Sequence, residues 1–122
     1  MILPILLACA DPNAPPSIAW DHVACDTCGM LVGDPAHAAA LDETEGPQRV
    51  FDDPGCLIQF VIQNHPSIAR MWFTDGTSWF REGEVGFMLG ANTPMGSGLH
   101  AVPSGTPGAL TFGEASSHVV SH

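Results

Sequence analysis

Two thiols and a thioether fall within the six residues Cys25-Asp26-Thr27-Cys28-Gly29-Met30, in a chain with four cysteines and five methionines in all. Soft sulfur donors select Cu(I), and mixed sulfur and nitrogen sets also suit zinc. Cysteines separated by two residues can converge on one ion. Gly29 lets the backbone bend behind the second thiol, so that Met30 can swing to the same side. A metal site is the first expectation. The same residues allow a Cys25–Cys28 disulfide or redox pair with Met30 buried as packing. A thioredoxin-like strand, loop and helix does not surround this pair, because Gly29 to Pro35 reads as an extended segment and a turn. Cys56 falls in the first turn of a predicted helix, where the helix dipole lowers a thiol pKa. It reads first as a small buried residue facing a sheet, and as a metal ligand only if the fold carries it to Cys25 and Cys28.

The remaining candidates are weaker. His22 and His100 are the imidazoles nearest the sulfur motifs in sequence, and each reads as a solvent-facing or hydrogen-bonded histidine. His37, His65, His118 and His122 have no supporting neighbours. Met71 and Met88 stand among Trp72, Phe73, Phe87 and Leu89 in strand patterns and read as core. No Ser/His/Asp arrangement, phosphate loop or spaced carboxylate pair stands out, so the expectation is a protein that is not an enzyme.

Thirteen acidic residues against three basic ones give a formal charge of −10 over 122 residues. That charge repels phosphate backbones and excludes nucleic acid as a partner. The length suits one domain, or two very small ones sharing a core. Ile2 to Ala8 is apolar and ends in Leu6-Leu7-Ala8-Cys9, the pattern of a bacterial lipoprotein signal cleaved before the cysteine that becomes lipidated. Residues 1–8 are therefore expected to be a signal and Cys9 the lipidated mature N-terminus. Residues 9–19, with Pro15 and Pro16 in tandem, have the composition of a tether. No other stretch approaches the length of a membrane span, so attachment to the membrane would be through lipid. The other three cysteines would oxidise outside the cytoplasm unless a metal, a reductant or burial protects them.

The elements that must position the sulfur residues follow from periodicity and turn residues. His37 to Leu41 and Gln48 to Phe51 read as a hairpin around an acidic turn. Asp53 as N-cap, Pro54 at the first helical position and Pro66 as a stop bracket a helix whose Leu57, Ile58, Val61 and Ile62 share one face. Ala69 to Thr74 and Thr77 to Phe80 follow as strands. The second half reads as a shorter repeat, with strands at Glu84 to Leu89 and Leu99 to Val102. There a helix start at Thr106-Pro107-Gly108 mirrors Asp53-Pro54-Gly55, and a last strand is expected at Ser117 to Val120. The predicted fold is α+β, with two small ββαβ units packed together, 20–82 carrying the CxxCGM motif and 83–122.

The lipoprotein cysteine, Cys28-Gly29-Met30, the Phe51-Asp52-Asp53 step into a helix, and Pro94-Met95-Gly96 followed by Ala101-Val102-Pro103-Ser104 together resemble the NosL family. These are copper chaperones that serve nitrous oxide reductase in denitrification, and the likeness runs over about residues 9 to 120. The resemblance implies a periplasmic, lipid-anchored protein that binds Cu(I) and passes it to the reductase, and the family's paired ββαβ units agree with the repeat. It places Cys28 and Met30 in the metal motif, with Met95 as a further donor and Cys25 beside them. Cys56, following a CxxCGM knuckle at a helix start, is also similar to the zinc-binding TRASH and YHS modules. A zinc-stabilised interaction module is thus the second expectation, and a periplasmic CxxC thiol oxidoreductase the third.

Overall fold

The computed structural model describes residues 14–121. The lipoprotein signal, Cys9 and the first part of the tether lie outside the described residues, and so does His122. Eight elements follow in the order β1 (Ala39–Glu43), β2 (Arg49–Phe51), α1 (Pro54–Asn64), β3 (Ile68–Thr74), β4 (Trp79–Arg81), β5 (Val85–Met88), β6 (His100–Pro103) and α2 (Phe112–Ser121). The fold is α+β, with an antiparallel four-stranded sheet of order β2-β1-β3-β4 and a two-stranded sheet β5-β6. Among the described residues no helix is long and apolar enough to cross a membrane.

Register decides which residues meet in the core. Ala39 pairs with both Phe51 and Phe73, and Leu41 pairs with Met71. Residues directly opposite one another share a face, so these side chains form one apolar surface. Leu57 and Ile58 of α1 are fully buried in the same cluster. The second sheet joins that core through Phe87, whose ring meets Phe73 edge-on at 5.0 Å. The opposite face of the sheet carries Trp72, which donates from its indole nitrogen to Asp42 at 3.2 Å.

The helix α1 begins and ends where local chemistry requires. The Asp53 carboxylate accepts from the Gly55 amide, Pro54 occupies the first turn, and His65 closes the helix in the left-handed region at φ 48°. The second half departs from the expected repeat. Thr106 to Leu110 forms turns and a bridge from Leu110 to Phe87 instead of a helix start. The helix begins at Phe112, behind a capping box in which Thr111 Oγ1 accepts from the Glu114 amide and Glu114 accepts from the Thr111 amide. Ser117 to Val120, expected as a strand, lies inside α2. Its physical reason is that the capping box nucleates a helix whose Ala115 is buried in the core.

Candidate metal centre

Three chain segments build the site. The first is a knuckle in which Cys25 donates its amide to the Met30 carbonyl at 2.7 Å and Gly29 donates to the Cys25 carbonyl at 3.0 Å. Gly29 takes φ 80°, a left-handed conformation open to glycine at no steric cost. The Cys28 amide points at the Cys25 sulfur at 3.5 Å, which leaves both thiols on one side of the turn. The knuckle is docked from two directions. Asp26 donates its amide to the Val50 carbonyl at 2.9 Å and accepts from the Val50 amide at 3.1 Å, fixing it to β2. Thr27 donates its hydroxyl to the Cys56 carbonyl at 2.7 Å, fixing it to α1.

The second and third segments are the end of β2 and the first turn of α1, which contribute Asp52 and Cys56. One donor atom from each of Cys25, Cys28, Asp52 and Cys56 lies within 4.8 Å of all the others. Asp52, buried directly after β2, presents one oxygen to both sulfurs, Cys28 at 3.4 Å and Cys56 at 3.6 Å. Three thiols and a carboxylate in this arrangement can hold a metal ion.

The thiols differ in acidity. A hydrogen bond from the Cys56 thiol, opposed by burial and joined by backbone amides, draws Cys25 down to about 6. Burial is the main cause that lifts Cys28 to about 11. Cys56 is raised further, first because its proton is engaged by Cys25 and then because it is buried. Relative to an ordinary thiol, the deprotonated form is favoured at Cys25 and the protonated form at Cys28 and Cys56.

A cleft of about 190 Å³ opens beside the cluster, lined by Cys28 and Cys56 on one side and by Met95, Ser97 and His118 on the other. Cys25 and Cys56 are buried, whereas Cys28 is only half-buried and faces this opening. Met95 is 50% exposed at the cleft wall. Met30 is 60% exposed and is not among the residues lining the cleft. His22 is exposed, and His100 packs edge-on against His37 at 5.2 Å, where Asp34 holds the His37 ring at 2.8 Å.

Sequence reasoning brought Cys25 and Cys28 together and left Cys56 as packing; the tertiary contact through Thr27 makes Cys56 a member of the cluster. Asp52 and His118 were missed as site residues. A signal for Asp52 existed in its position one residue before an N-cap and four before a cysteine. For His118 none did, because its approach to the cleft depends on α2 packing near α1. No family model, curated protein or solved structure matches this chain.

Proposed function

We propose that this protein is a periplasmic, lipid-anchored chaperone that binds Cu(I) and delivers it for maturation of nitrous oxide reductase, as its resemblance to the NosL family implies. The observation that carries the reading is a cluster of three thiols with a single half-open member, Cys28, at the wall of a cleft shared with Met95. Two or three soft donors satisfy Cu(I), and thiolates supply both charge and affinity. A delivery protein must also leave one side of the ion open to attack. Cys28 offers that side, and an acceptor thiolate, thioether or imidazole entering the cleft displaces it by ligand exchange at copper. Met95 adds a neutral donor that binds without releasing a proton.

The test is competition under anaerobic, reducing conditions between the full chain and a coloured Cu(I) chelator. Cys28→Ser and Cys56→Ser are each expected to weaken Cu(I) binding by at least about tenfold, the effect of one lost thiolate ligand. Delivery is read by loading copper-free reductase with the copper protein; incorporation no better than from the chelate alone would remove that part. Cys9→Ala is expected to move the protein from the membrane fraction to the soluble one.

Asp52 favours a second reading. A buried carboxylate beside three thiols completes a four-donor set of the kind that closes a structural zinc site. Stoichiometric Zn(II) retained against a Cu(I) chelate would promote the zinc-binding interaction module over the copper chaperone.

A further inference from the structure

The fully buried Asp53 carboxylate joins the two walls of the cleft. Its Oδ1 accepts from the Gly55 amide at 2.8 Å, as a helix N-cap does, and also from the Ser97 hydroxyl. Its Oδ2 accepts from the Met95 amide at 2.9 Å and the Ser97 amide at 3.5 Å. The loop so held is closed on itself, since the Gly96 amide donates to the Thr93 carbonyl and the Gly98 amide to the Thr93 hydroxyl, both at 3.1 Å. Contact between loop and helix start is tight: a Cβ on Gly55 would lie 2.7 Å from the Ser97 Cβ. Capping a helix requires one acceptor, which asparagine supplies as well as aspartate. The second acceptor, facing two amides that only a carboxylate can satisfy, has no role in the cap.

We propose that Asp53 is a positioning residue, a latch that holds the Met95 loop against the cleft and so limits how fast a bound metal leaves past Cys28. The proposal rests on the metal-delivery reading above. With the latch closed, a donor atom of the acceptor must enter past Met95 and Ser97. With it open, the loop swings out and the exposed side of the ion is reached directly. Release is ligand exchange: each metal–thiolate bond is replaced by one to the acceptor, the thiols that gave up protons on binding regain them from solvent, and no electron is transferred.

Two variants separate the latch from the cap. Asp53→Asn keeps a capping oxygen toward Gly55 but turns an amide donor toward the Met95 and Ser97 amides. Gly55→Ala keeps the carboxylate and wedges a methyl group between helix and loop. In the metal-free protein, both are expected to speed hydrogen exchange at the Met95 and Ser97 amides by about tenfold, the factor for losing a buried hydrogen bond to a charged group, with α1 still protected. In the Cu(I)-loaded protein both should speed release to a chelator by a similar factor, with any loss of equilibrium affinity no larger than that of Met95→Ala. An unchanged release rate in both variants would overturn the latch. So would an affinity loss large enough to account for the whole change in rate, since that is damage to the site and not a gate. Wild-type protein that retains no Cu(I) fails the copper reading, and release is then measured with Zn(II); retention of neither ion overturns both.

Discussion

The three thiols of the cluster differ in acidity, because the hydrogen bond from Cys56 draws Cys25 down to about 6, burial lifts Cys28 to about 11, and the hydrogen bond to Cys25 followed by burial raises Cys56. An ion that binds all three sulfurs must therefore expel protons from Cys28 and Cys56 but not from Cys25. Affinity should rise with pH. Between pH 7 and 9, above the Cys25 value and below that of Cys28, two released protons make the gain about a hundredfold per pH unit. Isothermal titration in buffers of different ionisation enthalpy counts those protons directly. A slope of about tenfold would mean that only one of the two protonated thiols is a ligand. Met95 carries no proton, so Met95→Ala is expected to lower affinity without altering the slope.

At the scale of elements, the knuckle between Cys25 and Met30 depends on one backbone conformation. Gly29 has φ 80° and nothing within 4 Å of where a Cβ would stand, so the obstacle to a side chain is conformational and not a neighbouring atom. Gly29→Ala should cost about 1–2 kcal/mol, the left-handed penalty for an L-residue, and Gly29→Asn less. Urea denaturation of the metal-free proteins measures the difference. Helix α1 presents the converse case at its other end. His65 takes φ 48° while donating its amide to the Val61 carbonyl at 3.0 Å, a cap conformation that glycine adopts freely. His65→Gly should stabilise the protein by about 0.5 kcal/mol and leave the thiol cluster, at the opposite end of the helix, unchanged.

For the molecule as a whole, an ion held by the cluster would tie together the knuckle, the residue after β2 and the start of α1, and the cleft adds the Met95 loop and α2. A metal that requires all these segments in place binds the folded chain in preference to the unfolded one. At a free concentration about a thousandfold above its dissociation constant it should stabilise the fold by about 4 kcal/mol. Thermal unfolding with and without metal reads this, and a chelator should return the midpoint to the metal-free value. Cys56→Ser should lose most of the increment. A variant altered only at exposed Met30 should keep it if the three thiols suffice, and lose part of it if Met30 is a ligand.

The sequence by itself determined what is local. Two cysteines at CxxC spacing, the glycine behind them, and the Asp53, Pro54 and Pro66 that bracket α1 each act through neighbours a few residues away, and the elements they announce are where they were expected. It determined the α+β class for the same reason, since strand and helix periodicities are properties of short windows. The end of the chain was misread because a Pro-Gly pair at residue 107 outweighed the Thr111-to-Glu114 capping box, which was equally local and chemically the stronger helix signal. Tertiary structure alone decided the membership of the site. Cys56 reaches Cys28 through a hydrogen bond from Thr27, 29 residues away, and the Met95 loop reaches α1 through Asp53, 42 residues away. Pairings of that range are selected by how the sheet and helices close over one core, which no window of sequence contains.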